Sequence, residues 1–185
     1  MKSKKKWLIA FFLMLILLSC EKKENKGSNV ENKSNTEQAE EQLLTFKDKS
    51  IERVISDFEI ISKENKIKLN NFENLKYENQ NFYMAEIASK ADSNYTISYQ
   101  GIDIKGLVLK VGVVNNSDLA MIEDMVVNLI EVSDKRIAED EARAIYAGLL
   151  SDIKEDKLSN SAKYKNGITY SVKIEKTGAL IFSAQ

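Results

Sequence analysis

From Leu43 onward, apolar and polar residues alternate first with a helical and then with a strand period. Ile51, Val54, Ile55, Phe58 and Ile61 recur at helical spacing, with Thr45 or Asp48 as the expected N-cap. The period then shortens. Residues 66–72, 82–88, 95–100 and 105–114 read as strands separated by Asn- or Gly-containing turns. In the third of these, Tyr95, Ile97 and Tyr99 alternate with Thr96 and Ser98, and the fourth is apolar enough for the middle of a sheet. Asn116 or Ser117 is expected to cap a second helix with the stripe Leu119, Ile122, Val126, Leu129 and Ile130. A break around Ser133 to Lys135 leads to a third, with Glu139, Asp140 and Glu141 in its first turn and Ala142, Ile145, Tyr146, Leu149 and Ile153 on its apolar side. Residues 167–174 and 179–184 close the chain as a hairpin over Glu175-Lys176-Thr177-Gly178. Strands in runs rather than alternating with helices predict an α+β fold. The expected order is an N-terminal helix, an antiparallel four-strand meander, a helix pair and a C-terminal β-hairpin, in one domain over residues 44–185.

Two unlike segments precede that domain. Residues 7–18 are twelve apolar residues behind Lys2, Lys4, Lys5 and Lys6. At 1.5 Å per residue they reach about 18 Å as a helix, well short of a hydrocarbon core of about 30 Å, so a secretory signal fits and a membrane span does not. Residues 21–42 are nearly all Glu, Lys, Asn, Ser and Gln. Such a stretch cannot bury enough apolar surface to offset the entropy of ordering, and it is expected to be a flexible tether.

The stretch Leu17-Leu18-Ser19-Cys20 resembles the lipobox of bacterial lipoproteins, with an aliphatic residue at −3, a small residue at −1 and then cysteine. The resemblance implies that residues 1–19 are removed and that Cys20 carries a diacylglyceryl group, with residues 20–43 as lipidated terminus and tether. Two acyl chains hold stably where one binds marginally, so membrane lipid is the implied partner of Cys20. The helix-then-hairpin layout that follows is similar to lipid-anchored proteins of AT-rich bacteria and to half of a PepSY-type module; neither likeness carries site residues or an activity.

Composition narrows the chemistry. Removing four lysines with the signal leaves 27 − 4 = 23 basic against 28 acidic residues, a mature charge of −5, and no basic stripe with interleaved aromatics follows. Nucleic acid is therefore not an expected partner. There is no His and one Cys, which removes the commonest general base, a leading zinc ligand and any intramolecular disulfide. Ser151 and Lys154, with Lys176-Thr177-Gly178, echo the S-x-x-K and K-T-G elements of penicillin-binding proteins. Ser151, however, falls near the end of its helix rather than the start, and Lys176-Thr177-Gly178 reads as a hairpin turn with Gly178 at positive φ. Glu139, Asp140 and Glu141 are consecutive and cannot converge on one metal, while Asp152, Glu155 and Asp156 frame a solvated helix end. No cofactor, metal or catalytic residue is expected. Tyr83, Tyr95 and Tyr99 are the residual candidates for a binding surface, but Tyr95 and Tyr99 share a face with Ile97 and are expected in the core, with exposed recognition as the alternative.

The expected function is a non-enzymatic binding or assembly domain held by lipid on the cell membrane or outer membrane, outside the cytoplasm, with an envelope protein or polymer as its partner. An envelope hydrolase using paired carboxylates, and a chaperone-like protein that binds partner strands at an open sheet edge, are the alternatives.

Overall fold

The computed structural model describes residues 45–185. The signal segment, Cys20 and the tether lie outside the described residues. Three helices and seven strands follow in the order α1 (Ile51–Glu64), β1 (Glu73–Tyr77), β2 (Gln80–Glu86), β3 (Asn94–Gln100), β4 (Asp103–Val113), α2 (Leu119–Ser133), α3 (Glu139–Ser151), β5 (Ser159–Lys163), β6 (Thr169–Ile174) and β7 (Ala179–Ala184). Short 3-10 turns at Phe46–Asp48 and Asn116–Asp118 precede α1 and α2.

The α+β class stands, but a four-strand meander with a separate C-terminal hairpin does not. All the strands form one antiparallel sheet in the order β1-β2-β3-β4-β7-β6-β5. The long apolar strand β4 is what joins the two parts: Leu107, Leu109 and Val111 sit opposite Ala184, Phe182 and Leu180 of β7. A strand absent from the sequence pattern, β5, extends the far edge beside β6. The first strand also moves. Residues 67–70 run extended beside β2, with a single bridge from Leu69 to Ile87, and regular pairing begins only at Glu73.

All three helices cover one face of the sheet. Tyr95, Ile97, Leu107, Leu109, Val111, Tyr170, Val172, Leu180 and Phe182 point from that face into the core. The middle helix, α2, lies between α1 and α3. It is therefore buried on most sides, from Ile122 through Met125, Val126 and Leu129 to Val132. Each large apolar side chain fully buried this way stabilises the fold by about 1.5–3 kcal/mol.

Local signals set the helix ends. Ser50, not Thr45 or Asp48, caps α1 by accepting from the Arg53 amide at 3.2 Å. Asp48 instead accepts from the Thr45 hydroxyl at 2.6 Å, closing the preceding turn. Asn116 and Ser117 lie inside the 3-10 turn that leads into α2 rather than capping it.

Polar side chains fasten α1 to α2. Asn65 donates to Asn128 at 2.5 Å, and Asn128 reaches the Ser62 hydroxyl. Lys49 is buried with its ammonium 3.1 Å from the Val132 carbonyl and 3.0 Å from the Asp57 carboxylate. Burial lowers the Lys49 pKa, while the Asp57 charge beside it acts in the opposite sense.

Candidate functional site

The three candidate tyrosines share one face of the sheet but differ in burial. Tyr95 is fully buried, its ring 4.7 Å from that of Phe58 and its hydroxyl donating to the Met125 carbonyl at 2.8 Å. Burial raises its pKa far above that of a free phenol. It is a core residue that ties β3 to α2.

Tyr83 and Tyr99 come together instead. The β2–β3 register puts Asn81 opposite Tyr99 and Tyr83 opposite Ile97, so both phenols stand on the helix-bearing face. Their ring centroids are 5.5 Å apart, tilted by 32°. The β1–β2 register then places Asn74 opposite Tyr83. The Asn74 amide donates to the Tyr83 hydroxyl, and the Tyr99 hydroxyl donates to the Asn74 carbonyl oxygen, each over 3.2 Å.

Both rings are partly exposed and Asn74 is open to solvent. A phenol carries one proton and two lone pairs, and an amide carries two N–H donors. The three side chains use only part of that capacity on one another. They leave the Tyr83 proton, the second Asn74 N–H and acceptor lone pairs for a partner. Asn81 and Lys76, opposite each other on the adjoining row, complete the face. Beside it, the β3–β4 turn carries Ile102 with 87% of its surface exposed. Sequence reading alone missed Asn74 and Asn81 because asparagine is common throughout this chain; their significance comes from register.

The other candidates are dispersed. The Ser151 hydroxyl donates to the Gly148 carbonyl at 2.8 Å and faces solvent at the end of α3. Lys154 lies beyond the helix in a tight turn closed by backbone hydrogen bonds with Lys157. Lys176, Thr177 and Gly178 form the β6–β7 turn, with Gly178 at φ +83°. Glu139 accepts from Arg143, which also reaches Glu123 at 3.1 Å and Asp124 at 2.8 Å. Glu141 turns the other way, onto Tyr164 and Lys165, and that ammonium and phenol hold its carboxyl below the usual range. Asp152 accepts from Asn160 at 3.3 Å. Among the described residues, no group of three or more His, Cys, Asp or Glu is placed to hold a metal ion. No helix among them is long and apolar enough to cross a membrane.

Comparison with known proteins finds no match: no family model, curated protein or solved structure resembles this chain closely enough to assign it.

Proposed function

We propose that this chain is a lipid-anchored protein of a bacterial envelope whose domain binds an envelope protein or polymer without transforming it. Tyr83, Tyr99 and Asn74 form its recognition face. The observation that carries this reading is the Tyr83–Tyr99 pair, fixed through Asn74 and still partly exposed. Tyrosine presents a large, stiff ring at small entropic cost while its hydroxyl stays solvated, which suits it to contact surfaces. Holding the side chains in place before a partner arrives removes part of the ordering cost of binding. The lipobox-like stretch ending at Cys20 supplies the anchor, and the polar run before Leu43 supplies reach. The domain is placed outside the cytoplasm, on the cell membrane or the outer membrane.

Two measurements test the reading. In a bacterial host, labelled palmitate is expected to enter the full chain and to be lost in Cys20→Ala; a Cys20→Ala chain that still takes up label sinks the anchor. For the domain, the full lipoprotein serves as bait in detergent-solubilised envelopes. A Tyr83→Ala, Tyr99→Ala double variant is expected to lose its captured partner at least tenfold, since truncating a hot-spot tyrosine at an interface costs about 2 kcal/mol or more. An unchanged partner set with the double variant removes this face from the argument.

A further inference from the structure

The two outer strands of the sheet differ in what they offer to a third strand, and the phase of their hydrogen bonding shows how. In an antiparallel pair, alternate residues turn their N–H and C=O toward the neighbour, and those between turn them away. Within β2, the Glu86 carbonyl accepts from Asn70 on the β1 side, while the Ile87 amide donates to Ser93 on the β3 side. Even-numbered residues of β2 therefore bond toward β1. Their partners are Tyr77, Leu75 and Glu73. Asn74 and Lys76 are left with both backbone groups pointing out from the sheet edge.

The same bookkeeping applies to β5. Ile174 donates to the Leu158 carbonyl and Tyr164 to the Ile168 carbonyl, so Ser159, Ser161 and Lys163 point outward. The strand Ser159–Lys163 carries no apolar side chain larger than Ala162. In β1, by contrast, Leu75 and Tyr77 are half-buried on the open face, with Leu75 directly opposite Phe82.

We propose that β1 is a self-pairing edge, at which a second copy of this chain adds antiparallel about a two-fold axis normal to the sheet. The phase narrows the register to pairs between outward residues. Asn74 of one copy facing Lys76 of the other is the symmetric choice that engages both outward residues of β1 in each copy without setting Lys76 against Lys76; each such pair exchanges both its N–H···O bonds. This centres the axis on Leu75, which meets its own counterpart as a non-hydrogen-bonded pair, the arrangement with the closest side-chain approach. Glu73 then faces Tyr77, and no like charges stand directly opposite. The contact is isologous and closes on itself, so it yields a dimer rather than a fibre.

Among the described residues, helix packing concentrates on β4, β5, β6 and β7, while α1 touches β3 through Phe58 against Tyr95 and the segment just before β1 through Phe58 against Phe72, 5.8 Å away. Cross-strand neighbours share a face, so both copies carry their helices on the same side. The pairing stands whether or not the Tyr83–Tyr99 face binds a partner.

A disulfide tests the register. A non-hydrogen-bonded antiparallel pair has its Cα atoms about 4.5 Å apart, within the span of about 4.4–6.8 Å that a disulfide bridges. In the full chain with Cys20→Ser, so that Leu75→Cys supplies the sole thiol, mild oxidation is expected to give a covalent dimer on a non-reducing gel. Ser161→Cys in the same background is expected to stay monomeric. Adding Lys76→Pro to Leu75→Cys removes an outward N–H without touching the β1–β2 ladder, and it is expected to lower the dimer yield at least tenfold. A natively folded Leu75→Cys chain that stays monomeric overturns the proposal, as does a yield indifferent to Lys76→Pro or matched by Ser161→Cys. Should Leu75→Cys not fold, sedimentation equilibrium of the unaltered full chain in detergent decides: a dimer mass supports self-pairing, and a monomer at every loading concentration overturns it.

Discussion

The hydroxyl of Tyr95 donates to the main-chain carbonyl of Met125 across 2.8 Å, a hydrogen bond from the middle of the sheet to the most buried helix. Both residues are fully buried. Tyr95→Phe keeps the ring against Phe58 but removes that bond, and is expected to cost about 1–2 kcal/mol. Tyr95→Ala also empties the ring's volume and is expected to cost about 3–5 kcal/mol. Urea titration checks both, with a lower midpoint and an unchanged slope. Tyr99→Ala, which removes a ring that is only partly buried, is expected to shift the midpoint far less.

Glu131 supplies a pH signature. Burial, and then the charges of Glu139 and Glu64, raise its pKa above the ordinary value of 4.5. The folded state thus holds this proton more tightly than the unfolded chain does. Stability from this group is fully present below about pH 4.5 and is lost as pH rises through the folded-state pKa. Glu131→Gln is expected to be more stable than the parent at neutral pH, with the advantage shrinking to nothing under acid conditions. Parallel urea titrations of the two chains from acid to neutral pH check the sign. A gap that widens on acidification contradicts it.

Gly112 marks where β4 passes beneath the β2–β3 loop. A Cβ there would stand 2.5 Å from the Ala91 carbonyl oxygen, and the Gly112 amide is already bonded to the Ser93 hydroxyl at 3.0 Å. Backbone cannot yield as a flexible side chain does. Gly112→Ala is therefore expected to destabilise the domain by about 1–3 kcal/mol. By contrast, Gly148→Ala meets open space on α3 and gains helix propensity, about 0.8–1 kcal/mol in a fully helical position. Thermal denaturation of the two variants is expected to move in opposite directions.

Ser151→Ala and Lys154→Ala are expected to change stability by less than about 0.5 kcal/mol, as surface substitutions away from packed features do. The Ser151 hydroxyl is bonded back to its own helix. Intact-mass spectrometry after exposure to a fluorophosphonate or a β-lactam is expected to show no adduct on Ser151. An adduct there reopens the hydrolase alternative.

How much of this was legible beforehand varied with burial. The period of Val54, Phe58 and Ile61 gave α1, because one face of that helix is inside and the other is wet. The apolar run of β4 and the Gly178 turn were equally plain. Strand β5 was not, since Ser159 to Lys163 is an edge strand with almost no side chain to bury, and a strand without a buried face leaves no alternation. The pairing of β4 with β7 is a contact across the chain that neither segment's pattern announces. The candidate face shows the same division. Tyr83 and Tyr99 could be named one by one, but their meeting, and the choice of Asn74 to bridge them, depend on strand register.

The position of β7 governs timing. It follows every other described strand in chain order, yet it lies inside the sheet between β4 and β6. While a ribosome is still delivering residues 179–184, the β1–β4 meander has an open apolar flank along Leu107, Leu109 and Val111, and β6 has nothing to pair with on its inner side. Without β7 the sheet is two pieces, β1–β4 and β5–β6, so its closure waits on this segment. Under the export proposed above, such an arrangement would favour passage before folding, and a truncation that removes β7 is expected to leave no folded remnant of the domain.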